Sequence, residues 1–159
     1  MQFYKGMASQ SVPVAVIMER RALASRWQSE TWQPAGIVPD PGGTAPRVLF
    51  EDDASTRVLY PGFVVELHRD EAEGYYLNLT TATPYVFVMW RIEESRAVPK
   101  IVTASYNEAS RMMDGGEQVD GVPMPPDLEA WISAFVTEHY KPEPKRRIRP
   151  PSFKGARRG

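Results

Sequence analysis

RVLYPGFVVELHR, residues 57–69, is the stretch whose reading decides the fold. From Phe63 onward the side chains alternate. Phe63, Val65 and Leu67 fall on one side, and Val64, Glu66 and His68 on the other. A period of two belongs to a strand with one face buried. The Pro61-Gly62 step is expected to turn the chain between two short strands. Working outward, VPVAVIMER (12–20) alternates in part, through Val12, Val14, Val16 and Met18. Pro13 cannot donate to a ladder and points to an edge or a strand start. Trp27 and Trp32 flank a polar turn, and GIV (36–38) runs as a short strand into a Pro/Gly-rich loop. RVLF (47–50), YYLNL (75–79), YVFVMWR (85–91) and VPKIVTAS (98–105) are further β-type runs. On a strand, Tyr75 and Tyr76 point to opposite faces, one to the core and one to the surface.

The period then changes. Ser105 followed by Glu108 fits a capping box, with Tyr106, Ala109 and Met113 at helical spacing and Asp114-Gly115-Gly116 as the stop. EQVDGVPMPP (117–126) is expected to be a loop. In the last element, Pro126 suits a first helical turn, with Asp127 and Glu129 at the positive end of the dipole. Leu128, Trp131, Ile132, Phe135 and Val136 then form one apolar stripe. Pro142 disfavours helix at Lys141, so the helix ends near Tyr140. Strands grouped before helices, with connections too short for repeated parallel crossovers, predict an α+β fold. It is a mostly antiparallel β-sheet, barrel-like or a sandwich, followed by two C-terminal helices; a PH-like order would fit. The expected organisation is a flexible lead-in at 1–11, one β-rich domain at 12–140 and a basic Pro/Arg-rich tail at 141–159.

Composition narrows the chemistry. The chain has 159 residues, 42% hydrophobic and 25% charged, the profile of a soluble globular domain. Without cysteine there is no disulfide, thiolate nucleophile or Cys-based metal site. No apolar run nears the roughly 18 residues that span a bilayer, and the N-terminus lacks a signal-peptide core. A cytoplasmic protein without membrane contact is expected. Its overall charge of −1 hides two opposed pieces. Lys141–Gly159 holds eight Lys/Arg and one acid, +7, and the first 140 residues hold eleven Lys/Arg against nineteen acids, −8.

No phosphate-binding glycine loop, dinucleotide fingerprint or nucleophile-elbow serine occurs. ELHRDEAEGYYLNL (66–79) is the segment densest in chemistry. Glu66, His68 and Asp70 are the types that ligate metals or move protons. Residues 70–74, however, look like a hairpin turn beside a polar strand face, which disfavours three converging ligands. His139, the other histidine, sits where a helix C-terminus favours a cation. No catalytic residue, cofactor or metal is assigned, and the protein is expected not to be an enzyme.

The tail carries the partner-binding candidates Lys145, Arg146, Arg147, Arg149, Phe153, Arg157 and Arg158, interleaved with prolines and glycines. Such a segment does not bury enough apolar surface to fold alone. It fits an arm that orders on another protein's acidic groove, a solubilising tail, a sequence-indifferent nucleic-acid binder, or an arm folding back on its own acidic body. Anionic lipid would require a second anchor, and none is visible.

VAVIMERR (14–21), WQSETWQP (27–34), ELHRDEAEGYYLNL (66–79), YNEASRMMDGGEQVDGVPMP (106–125) and WISAFVTEHYKPEPKRR (131–147) together resemble a bacterial family of unknown function. Genes of that family typically lie beside those of molybdenum-dependent formate dehydrogenases and their maturation factors. The resemblance covers about residues 12–149. It implies a non-catalytic accessory, small-subunit or assembly role in a formate dehydrogenase system, with a dehydrogenase subunit or maturation factor as protein partner. It supplies no catalytic residues. The alternatives are a nucleic-acid-binding regulator using the tail and a metal-binding protein using Glu66, His68 and Asp70.

Overall fold

The computed structural model describes residues 10–142. Residues 1–9 and the basic arm from 143 onward, with all seven partner-binding candidates, lie outside them. In chain order the elements are β1 (Ser11–Ala22), β2 (Glu30–Pro39), β3 (Arg47–Glu51), β4 (Ser55–Glu66), a 3-10 turn (Arg69–Glu71), α1 (Ala72–Leu79), β5 (Tyr85–Glu93), β6 (Arg96–Thr103), α2 (Tyr106–Asp114), β7 (Gln118–Pro123) and α3 (Pro126–His139). The strands form two antiparallel sheets, ordered β2-β1-β4-β3 and β6-β5-β7, and do not close into a barrel.

The Pro61-Gly62 step does not end a strand: β4 runs through it. Its partner β1 pairs with both halves, matching Val16 to Tyr60 and Val14 to Phe63, so one extra residue is absorbed on β4. Gly62 takes φ +91°, a left-handed conformation that costs glycine little, and the irregularity resets the phase. Val58 and Tyr60 face the core before it, and Val65 and Leu67 after it. Val64, Glu66 and His68 are exposed, as the alternation predicts.

The core lies between the sheets. Val12, Val14, Val16 and Met18 of β1 and Val58, Tyr60 and Val65 of β4 join Val86, Val88 and Trp90 of β5. Burying each such side chain is worth about 1.5–3 kcal/mol over leaving it exposed. Among the described residues β3 is an edge with β4 as its one sheet neighbour, and all five of its residues are exposed.

Further assignments change. Residues 117–126 are not all loop, because Gln118–Pro123 forms β7 and adds Val122 to the core. Gly121 allows this, since a Cβ there would lie 2.8 Å from the ring of Tyr85. Residues 69–71 are a 3-10 turn and 72–79 are helix, so 70–74 are not a hairpin turn and 75–79 are not a strand. Aromatic residues favour strands, but Asp70, Glu71 and Glu73 sit at the positive end of this helix. Ala72 and Tyr75 bury one face, with Leu79 packed against the core. Tyr75 is buried and Tyr76 exposed, the division expected of a strand, here produced by a helix.

The two C-terminal helices form where expected, but the capping box is half made, because the Ser105 N–H donates to Thr103 Oγ1 and not to Glu108. Ser105 caps α2, its Oγ accepting from the Glu108 N–H at 3.0 Å. On α3, Leu128, Ile132 and Phe135 are buried and Trp131 and Val136 pack against the core. His139 occupies the last turn, its ring centroid 4.4 Å from that of Phe135.

α1 joins these parts. The buried Asn78 amide donates to the carbonyls of Tyr85 (2.7 Å) and Ala104 (2.8 Å) and accepts from the Tyr85 N–H (3.0 Å). The Tyr75 hydroxyl accepts from the His68 N–H (2.9 Å) and donates to the Glu66 carbonyl (3.3 Å). Its ring meets Phe135 edge-on at 5.8 Å. α1 therefore ties the end of β4, the start of β5, the end of β6 and α3 together.

Asn78→Ala strands one backbone donor and two acceptors, and should cost about 3 kcal/mol in urea denaturation; a loss below about 1 kcal/mol contradicts the clasp. Burial pushes the Tyr75 phenol up to about 12, with the nearby carboxylates adding and the His68 N–H opposing. The unfolded phenol ionises near 10. The stability it contributes is complete below that pH and is lost as pH rises toward 12. Tyr75→Phe should flatten this alkaline decline, and an unchanged slope refutes the assignment.

Candidate functional site

The residues read as a turn beside a polar strand face form one wall of a groove of about 430 Å³. Val64 and Glu66 come from the end of β4, followed by His68, Asp70 and Glu71 through the 3-10 turn. Val102 and Thr103 enter from β6, and Glu108 and Arg111 from α2. The groove thus joins segments some 40 residues apart, as in the Arg111–Glu71 contact.

Glu71 and Arg111 in this lining are committed to each other. Glu71 accepts from the Ser105 hydroxyl at 2.6 Å through Oε1 and from Arg111 Nη2 at 2.9 Å through Oε2. Ser105 is fully buried, and its N–H donates to Thr103 Oγ1 at 3.0 Å. Its oxygen therefore donates to a carboxylate while accepting from the first turn of α2, and is engaged in both directions. A serine held this way is a cap and a strut, not a free nucleophile. The approach is close because residue 74 is glycine: a Cβ there would overlap Ser105 Oγ and crowd the Asn107 N–H.

His68 and Glu66 form an exposed pair, with Nε2 3.3 Å from Oε1. The structure therefore brings Glu66, His68 and Asp70 to one groove. Among the described residues, no three His, Cys, Asp or Glu side chains are grouped to hold a metal ion. The lining carries four carboxylates (Glu66, Asp70, Glu71, Glu108) against one guanidinium. This surface is negative and suits a positively charged partner better than an anion. The sequence pointed to Glu66, His68 and Asp70 but not to Glu108 and Arg111, whose positions depend on how α2 returns to the end of β4.

Fold and groove together define a two-sheet antiparallel α+β domain with helices at one end and an acidic groove where β4, β6 and α2 meet. The chain belongs to the family described as protein of unknown function (DUF3305), whose model matches residues 13–149. No curated protein and no solved structure matches it.

Alanine is the better helix former by about 1 kcal/mol, so propensity alone predicts that Gly74→Ala stabilises the protein. The overlap with Ser105 predicts the reverse. Thermal denaturation should show a loss of at least about 1 kcal/mol, and a gain would show that α1 and α2 are not held as described.

Proposed function

We propose that this chain is a non-catalytic accessory protein, a small subunit or assembly protein of a formate dehydrogenase system. It acts by contact with a dehydrogenase subunit or maturation factor. The observation that supports the non-catalytic part is that Glu71 is held by the buried Ser105 and by Arg111, while Ser105 itself caps α2. The sequence resemblance supplies the formate dehydrogenase system. The split between an anionic body and a +7 arm supplies contact as the mode of action. In this reading the arm, through Lys145, Arg146, Arg147, Arg149, Phe153, Arg157 and Arg158, orders on an acidic surface of the partner, and the site of action is the cytoplasm.

The arm's charge also favours a second reading, a nucleic-acid-binding regulator. Affinity purification of the tagged full-length protein from its native host separates the two. A dehydrogenase subunit or maturation factor should be recovered, with yield falling when the arm's Lys and Arg are replaced by Gln. Repeated preparations without either protein refute the proposal. DNA or RNA binding that weakens steeply with salt and is lost with the arm's charges would replace it with the second reading.

A further inference from the structure

A second cleft, of about 680 Å³, opens between the sheets where β2 comes alongside β5 and β7. Each sheet contributes one tryptophan, Trp32 from β2 and Trp90 from β5. Both indoles are fixed in the same way. Trp32 Nε1 donates to Glu30 Oε2 at 2.9 Å, and Trp90 Nε1 donates to Asp120 Oδ2 at 2.8 Å. A hydrogen bond at the indole edge sets a carboxylate beside each ring; Trp90 is buried in the core, whereas Trp32 is only partly buried.

Asp120 receives both Trp90 and Gln118 on the same oxygen, Oδ2, which leaves Oδ1 without a partner among the described residues. The other oxygen of Glu30 has only Arg20, at 3.7 Å. No Lys or Arg is among the described residues lining the cleft. Ile92, also in the lining, is 56% exposed, and Trp27, one residue before the lining residue Gln28, is 88% exposed. Large apolar side chains left this open beside a concave surface mark contact sites.

We infer that this cleft binds an arginine-bearing extended peptide segment, with the guanidinium packed against the Trp32 indole and paired with Asp120, which the buried Trp90 holds in place. Tryptophan is the strongest aromatic partner for a cation, and the interaction strengthens as water leaves the cleft. A planar guanidinium stacks on a ring while donating in its own plane to a carboxylate, which an ammonium does less well. Two carboxylates with no cation in the lining disfavour an anion. A neutral sugar would use the ring faces but leave the Asp120 charge unanswered. This site is separate from the groove beside Glu71, and it stands whatever the partner's identity.

The test is titration of the full-length protein, followed by calorimetry and tryptophan fluorescence, with a short peptide alternating glycine and arginine. The same peptide with citrulline for arginine, and maltose, serve as controls. The arginine peptide should bind saturably, and the citrulline peptide about tenfold more weakly. Asp120→Asn keeps an acceptor for Trp90 and should weaken the arginine peptide by a similar factor, as should Trp32→Leu. A full-length variant with Lys145, Arg146, Arg147 and Arg149 changed to Gln is titrated in parallel. Binding seen only in that variant means that the protein's own arm fills the cleft, which supports a cationic occupant. Three results overturn the inference: no binding in either form, equal binding of the citrulline peptide or maltose, or binding unaffected by Asp120→Asn.

Discussion

One buried amide, that of Asn78, ties α1 to the second sheet at the neighbouring ends of β5 and β6. Its two donors and one acceptor are all used on backbone at the start of β5 and the end of β6. A buried amide costs free energy unless it is satisfied, and is directional when it is. Asn78 therefore fixes where α1 sits on the second sheet. From there Tyr75 reaches the end of β4 and Phe135 on α3, and Gly74 lets α2 approach. The acidic groove lies where these constraints meet.

What the sequence revealed depended on how local the determining interactions are. The alternation after Phe63 and the apolar stripe of α3 are visible because each reflects one burial pattern along a continuous element. The Ser105 cap is visible because its partner is three residues away. α1 was hidden by the aromatic character of residues 75–79. The forces that make it a helix are remote: the pocket for Tyr75, the partners of Asn78 and the approach of Ser105. β7 was hidden because Gly121 and Pro123 resemble turn residues, and only the ring of Tyr85 explains the glycine. Pro61-Gly62 read as a break because its repair lies on β1.

The groove followed the same rule. Glu66, His68 and Asp70 stand out as a cluster, but their company of Glu108 and Arg111 is set by the return of α2. That company changes their meaning. A row of acids and a histidine in one segment suggests chemistry, but the neighbouring Glu71 is engaged by the Ser105 hydroxyl and by Arg111. The tryptophans behave similarly. Trp32 and Trp90 are 58 positions apart and become one surface only when the sheets stack.

The exposed outer strand β3 bears on how the molecule behaves when concentrated. Val48, Leu49 and Phe50 are each about half exposed, on a strand with no second sheet neighbour among the described residues. The strand has five residues, its register against β4 slips between Val48 and Phe50, and Arg47 and Glu51 close its ends. Brevity, an irregular ladder and terminal charges are the devices that keep open edges from recruiting copies of themselves. Lengthening or straightening this strand would remove those devices and leave a longer row of unpaired backbone groups.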